Sequence, residues 1–196
     1  MVLHGAEVTA ATLPRLAIRP YPAQYEGSWT SRQGEPLLIR PIRPEDEPLM
    51  VKFHGTLSDR SVYLRYLHPM QLSTRVAHER LARICFIDYD RELALVAEHG
   101  SGDEREILGV GRLSKTGGGN DEAEFAILVS DSFQAHGLGT ELLRRLQEVG
   151  RAEHLLRIVG FISPENDGMQ TVARHLGFVL KRKIEEDLVE AVYEIK

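Results

Sequence analysis

The stretch from Val129 to Arg145 reads Val-Ser-Asp-Ser-Phe-Gln-Ala-His-Gly-Leu-Gly-Thr-Glu-Leu-Leu-Arg-Arg, and it constrains the fold more than any other part of the chain. Ala123 to Val129 is a mostly apolar run of strand length that ends in a short polar turn. A helix follows, with Leu138, Leu142, Leu143, Leu146 and Val149 recurring on one face at helical spacing. The chain therefore holds a strand that feeds directly into a helix with one face to bury. At the junction, Gln134-Ala135-His136-Gly137-Leu138-Gly139 sets two glycines where strand becomes helix. Without Cβ atoms these positions admit unusual φ and a close ligand. The unpaired N–H groups of a helix start, together with its dipole, suit a phosphate. Residues Gln134 through Thr140 thus read as a backbone cradle for a phosphorylated ligand.

Spacing excludes two common cradles. A Walker A loop ends in Gly-Lys-Ser/Thr, whereas Gly139 is followed by Thr140-Glu141. A dinucleotide fingerprint requires a third glycine where Leu142 stands. It also requires an acidic residue after the next strand, which here ends Phe161-Ile162-Ser163.

The length of 196 residues suits one domain with additions, and 42% hydrophobic against 27% charged residues suffices for a core. A net charge of −5 argues against a general binder of nucleic acid or anionic membrane. The sole cysteine, Cys85, has no intrachain disulfide partner, so a reducing, cytoplasmic setting is expected. No apolar run reaches the roughly 20 residues of a membrane span, and no secretory signal is visible. No metal is expected. His78-Glu79 lacks the second histidine of a zinc helix. Asp88 and Asp90 lack the glycine and glutamate of a calcium loop.

Along the chain, residues 1–36 read as an N-terminal arm or linker, broken by Pro14, Pro20, Pro22, Gly27, Gly34 and Pro36. Within it, Leu16 to Arg19 suits a short strand, and Ser28 to Arg32 can pair with Leu37 to Ile42 across Gln33-Gly34. Residues 37–196 read as the main domain. A helix is expected after Pro44-Glu45-Asp46, carrying Leu49, Met50 and Phe53 to Gly55. Two more are expected at Asp59 to Tyr66 and Ser73 to Arg83. Tyr66 and Met70 read as core or pocket wall. Strands at Arg91 to His99, Glu106 to Lys115 and Ala123 to Val129 form an antiparallel run, with Gly117-Gly118-Gly119-Asn120 as a hairpin tip. After the cradle come a helix to Glu153 and a strand at Arg157 to Ile162. A helix from about Gly168 to Leu176, capped by Gly177, precedes strands at Phe178 to Ile184 and Leu188 to Ile195. The fold class is α+β: a mixed, mainly antiparallel central sheet flanked by helices.

Gln134-x-x-Gly137-x-Gly139 between strand and helix resembles the acyl-CoA pyrophosphate loop of the GNAT acetyltransferase superfamily. Ser163-Pro164-Glu165-Asn166 and His175-Leu176-Gly177-Phe178 resemble that family's second conserved region, in the right order. Ser61 to Tyr66 and Arg83 to Glu92 resemble substrate-side segments of Pat-type protein lysine acetyltransferases, which modify acetyl-CoA synthetase and related acyl-CoA synthetases. Leu16 to Pro22 resembles the segment joining an ATP-grasp region to such a domain in fused enzymes.

The resemblance implies acetyl-CoA as co-substrate and a protein substrate, whose basic loop Asp88 or Asp90 is placed to meet. It implies that Gln134, Ala135, His136, Gly137, Leu138, Gly139 and Thr140 hold the pyrophosphate through their backbone. A backbone N–H near Leu128 or Val129 polarises the thioester carbonyl, and Asn166 contacts the pantetheine arm, unless it is only a helix N-cap. A lysine amine, with a pKa near ~10.4, needs a base. Glu124 matches the strand glutamate of the Pat-type enzymes. On an apolar strand it is expected to be partly desolvated, which favours the neutral acid and makes a better base. Glu122 and Asp121 stand behind it. The tyrosine that protonates the leaving thiolate in many relatives is missing from Gly168 to His175; a dedicated acid is not essential and stays unassigned, since His175 and Tyr63, which could serve, read first as structural. Two rival readings stay open: an acetyltransferase of small amines, and a non-catalytic acyl-CoA-binding sensor module.

Overall fold

The computed structural model describes residues 19–116 and 122–196. The expected glycine-rich tip, Asp121 and all but the last residue of the Leu16 to Arg19 strand lie outside them. Gly27–Thr30 (β1) and Pro36–Pro41 (β2) pair as an antiparallel hairpin with Ser28 opposite Leu38. Part of the segment read as an arm is therefore the edge strand of the sheet. Arg40 on β2 is 2% exposed, and its guanidinium bridges Asp46 (2.6 and 2.8 Å) and Glu98 (2.6 Å). Asp46 also accepts the Arg43 amide at 2.7 Å, so one buried carboxylate fixes both the strand end and the entry to Glu47–Gly55 (α1).

Helix Asp59–Tyr66 (α2) stands where the periodicity places it, capped by Ser58. The helix expected over Ser73 to Arg83 is instead two, Leu72–Arg75 (α3) and His78–Cys85 (α4), broken at Val76 and Ala77. The reason is rotational. Arg75 turns inward to donate to the His54 carbonyl at 3.3 Å, while Leu81 and Cys85 also bury. In one continuous helix, positions six apart differ by about 120° in direction, so Arg75 and Leu81 reach the interior together only if the axis is redirected.

Glu92–His99 (β3), Glu106–Lys115 (β4) and Glu122–Val129 (β5) form the expected antiparallel run. Leu138–Ala152 (α5), Arg157–Ile162 (β6), Asp167–His175 (α6), Val179–Lys183 (β7) and Leu188–Glu194 (β8) follow. The eight strands lie in the order β1-β2-β3-β4-β5-β6-β8-β7, and only β5–β6 is parallel. Both faces of the central strands are buried. Leu93, Leu95 and Ala97 join α5 in one apolar cluster, while Ala94 and Val96 join Met50, Phe53, Val62 and Leu81 in a second. No helix among the described residues is long and apolar enough to cross a membrane.

Candidate active site

The parallel β5–β6 ladder is short. Pairing runs from Glu122 opposite Arg157 to Glu124 opposite Val159, yet β5 continues to Val129 and β6 to Ile162. Beyond Glu124 the strands part, and a cleft of about 1060 Å³ opens between them. Gly160 sits just past the last pair, where a Cβ would fall 2.2 Å from the Phe125 ring. The glycine lets Phe125 pack across the vertex of the opening.

The cradle closes one end of the cleft. Ala135 and Gly137 both have positive φ, 64° and 93°. Gly137 tolerates this freely, whereas an alanine there holds strain of order 1–2 kcal/mol. Gly139 lies inside α5 with ordinary φ; what its missing side chain leaves open is the space toward Ile127 and Val129. The amides of Ala135, His136, Gly137, Leu138, Gly139 and Thr140 find no backbone acceptor among the described residues. Left-handed turns that orient successive N–H groups, placed before a helix, form an anion-binding concavity. Leu138 is buried beneath the loop, and His136 stacks on Phe133 at 4.6 Å with its ring nitrogen on the Gln134 carbonyl. Those two side chains do not line the cleft, so their share is through the backbone. Gln134, Ala135, Gly137, Gly139, Thr140 and Asn166 do line it. Asn166 caps α6 by accepting the Met169 amide at 3.0 Å, and it still faces the cleft.

The phase of the β4–β5 ladder decides which strand amides are left unpaired. Ser130 donates to the Leu108 carbonyl, so Leu128 exchanges bonds with Val110, while the peptide groups of Ile127 and Val129 point toward the cleft. Of the two positions expected to polarise a carbonyl, Val129 therefore has its N–H free for the task and Leu128 does not.

Glu124 lies at the vertex. Its side chain shares the face of Ala126 and Leu128, opposite α5, and it makes no side-chain hydrogen bond or ion pair among the described residues. Glu122 is already engaged, paired with Arg157 and accepting from Thr116 Oγ1 at 2.8 Å. Above Glu124, α2 supplies Arg65 and Tyr66 to the wall. Burial, with the Arg112 and Arg80 charges alongside, draws the Arg65 guanidinium below its ordinary pKa, opposed by the Glu124 carboxylate. Helix α2 is hooked to the cradle: Gln134 Nε2 donates to Ser61 Oγ at 3.0 Å, and the Ser58 amide donates to Asp131 at 3.3 Å. Burial pushes the Asp131 carboxyl up, yet hydrogen bonding from Ser58 and Ser61 holds it below its usual range.

His175 lines the cleft and Tyr63 does not. Asp88 and Asp90 lie away from it; Asp88 closes a turn by accepting the Asp90 amide at 3.0 Å. Arg65 lies in the Ser61 to Tyr66 segment read as substrate-side, with no role given to it alone, and it lines the cleft. Arg32 is a cleft residue that sequence reasoning did not single out. Arg32 stands at a hairpin tip whose position over the cradle has no local sequence signal. No cluster of metal-ligating side chains occurs among the described residues.

A sheet that parts beside a helix-start cradle, with an unpaired carboxylate at the vertex, makes a cleft in an α+β fold that suits an extended ligand with a phosphorylated end. The chain belongs to the acetyltransferase (GNAT) domain family, whose model matches residues 36–179. An acetyltransferase of Pseudomonas aeruginosa is 30% identical over 150 residues, covering 76% of this chain and 78% of the relative. The structure resembles the GNAT domain of S. lividans PAT with a TM-score of 0.79 at 28% identity, over 89% of this chain and 99% of that one. Mycobacterium smegmatis RimJ in complex with CoA-disulfide shares the fold at a TM-score of 0.66 and 20% identity, over 86% of each chain.

Proposed function

We propose that the protein is an acetyl-CoA-dependent lysine N-acetyltransferase acting on a protein, an acyl-CoA synthetase in particular, in a cytoplasmic setting. The observation that carries this reading is the unengaged carboxylate of Glu124 at the β5–β6 vertex, on the face opposite α5. The likeness to the GNAT domain of S. lividans PAT supports the Pat-type assignment.

Acetyl-CoA supplies the acyl group as a thioester, and CoA leaves as the thiol. The cradle amides bind its pyrophosphate at the α5 end of the cleft, and Asn166 and the α6 wall flank its arm. The acceptor amine enters from the α2 side. Glu124 takes the proton that the amine sheds as its nitrogen bonds the carbonyl carbon. The Val129 N–H faces the negative charge that develops on the carbonyl oxygen, and donors of this kind contribute about 2.7–4 kcal/mol. Collapse forms the amide and breaks the C–S bond. A thiol pKa near ~8.5 makes the thiolate a fair leaving group, so it needs no dedicated acid and takes its proton from solvent or from a cleft residue such as His175.

The test incubates the protein with acetyl-CoA and an acyl-CoA synthetase and reads intact mass, with wild type beside Glu124→Gln. One added acetyl group with wild type, and a rate lowered about 10²- to 10⁴-fold in the variant, is expected for loss of a general base. Equal acetylation by both removes Glu124 from that role. No acetylation by either, with polyamine or amino-acid turnover instead, makes the enzyme a small-amine acetyltransferase. Acetyl-CoA binding without any transfer makes it a sensor.

A further inference from the structure

The β1–β2 hairpin carries a cation to the cradle, whose backbone amides have no backbone acceptor among the described residues. Arg145 of α5 donates to the Gly27 and Ser28 carbonyls at 3.2 and 3.0 Å and is itself held by Glu141 at 2.7 Å, so β1 is tied to the cradle helix. At the tip, the Arg32 amide donates to the His136 carbonyl at 3.2 Å. Ser31 organises the turn, accepting the Gln33 and Glu35 amides and donating to the Glu35 carboxylate at 3.0 Å. That contact occupies the nearby acid. The Arg32 side chain then crosses the start of α5: a Cβ built on Gly137 would lie 3.2 Å from Arg32 Nε and 3.4 Å from its Cγ. The residue is exposed, lines the cleft, and makes no ion pair or side-chain hydrogen bond among the described residues.

We propose that Arg32 is a phosphate ligand of the bound acyl-CoA, closing over the cradle from outside the family-matched stretch, which begins at residue 36. The cradle amides and the guanidinium are all donors, so a group that satisfies them together carries several anionic oxygens. A guanidinium presents paired N–H groups whose spacing matches a phosphate. The single-residue reach from a pinned hairpin keeps its cost of ordering low. Coenzyme A offers two such groups, its pyrophosphate and its 3′-phosphate. The inference rests on acyl-CoA binding and is independent of the acceptor.

The experiment measures Kd by calorimetry at low salt for CoA, 3′-dephospho-CoA and acetyl-pantetheine, with wild type, Arg32→Ala and Arg32→Lys. The alanine variant is expected to bind CoA about 10-fold more weakly, which is about 1.4 kcal/mol. Lysine should restore part of the loss, and raised salt should shrink the difference. An equal loss for dephospho-CoA assigns Arg32 to the pyrophosphate; no loss for dephospho-CoA assigns it to the 3′-phosphate. Unchanged CoA affinity in Arg32→Ala overturns the proposal. So does an equal loss for acetyl-pantetheine, which has no phosphate and would report a disturbed hairpin. Failure of the wild type to acetylate a protein leaves this inference standing, whereas failure to bind CoA ends it.

Discussion

The two faces of the sheet are built by different means. On the α5–α6 face, the chemistry belongs to the backbone: a positive-φ loop, a helix start and the peptide edge of β5. Its side chains are apolar and packed, with Leu138, Leu142, Leu143 and Leu146 almost wholly buried. On the α1–α4 face, the chemistry belongs to side chains, and several are left without partners. Both ring nitrogens of His54 and the Nε atoms of Arg75 and Arg80 are buried with no hydrogen bond among the described residues. Tyr66 lies between the Arg65 and Arg80 guanidinium groups at 5.0 and 5.1 Å. The α5–α6 face thus gathers unsatisfied backbone donors at one cleft, while the α1–α4 face holds cations in a poorly compensated interior. Buried polar atoms without partners destabilise by about 1–3 kcal/mol each, so the α1–α4 face is expected to give way first.

Acid should expose that difference most strongly. Burial, with Arg75 and Arg80 alongside, lowers the His54 pKa from 6.5 to about 4. Between those values the unfolded chain binds a proton that the fold refuses, so stability rises with pH across the window and is lost as pH falls from 6.5 toward 4. The full effect is on the order of 3 kcal/mol. The Glu141 and Glu153 carboxyls, held low by arginine partners against their burial, lose their contribution only below the ordinary glutamate range. His78, raised by Glu47, acts in the opposite direction from an exposed position. Urea unfolding of wild type and His54→Leu across this window measures the slope. A slope that survives in His54→Leu would show that the imidazole is not its source. Hydrogen exchange, corrected for intrinsic rates, should rise in α1, α3 and α4 before α5.

The converse test targets the packed face. Gly160→Ala sets a methyl into the Phe125 ring at the vertex. Overpacking of this kind destabilises by about 1–3 kcal/mol, which a thermal melt would record. An unchanged melt would mean that β6 yields, and that the vertex is looser than the face around it.

The same contrast explains what the sequence disclosed. Spacing alone located the strand–loop–helix junction, because Gly137, the leucines of α5 and the Gln134 loop are local features tied to backbone geometry. The antiparallel run and the closing strands were legible from alternation for the same reason. The break between α3 and α4 was not, since it depends on where Arg75 finds the His54 carbonyl, a contact with another helix. Arg32 was hidden by topology: the hairpin at Gln33-Gly34 is readable, but its docking on α5 through Arg145 is a long-range contact. The choice of Val129 over Leu128 likewise needed the phase of the ladder, which one strand's sequence does not contain.

Asn166 offers a smaller probe of the cofactor face. Its N-cap bond to Met169 is local, and capping asparagines contribute about 1 kcal/mol. Asn166→Ala should lower stability by that amount. A separate rise in the KM for acetyl-CoA would show that the same side chain also serves the cleft; a pure cap would leave KM unchanged once the fold is saturated. Asn166→Asp keeps the cap and adds charge, so a rise in KM with a normal melt isolates the ligand contact.

The smallest effect falls where the two faces meet. The bond from Gln134 Nε2 to Ser61 Oγ joins the cradle to the helix that carries Arg65 and Tyr66. It is exposed, so its net contribution to stability is at the low end of about 0.5–1.5 kcal/mol. Ser61→Ala should leave the melt nearly unchanged, because the Ser58–Asp131 contact still anchors α2. The informative readout is the split between substrates. A few-fold rise in the acceptor KM with an unaltered Kd for acetyl-CoA means that the cradle stands alone and the acceptor wall depends on it. Equal changes in both mean that the faces move as one body, and the division drawn between them fails. Unaltered values for both leave the hook as surface decoration, with α2 positioned by the burial of Val62 in the core.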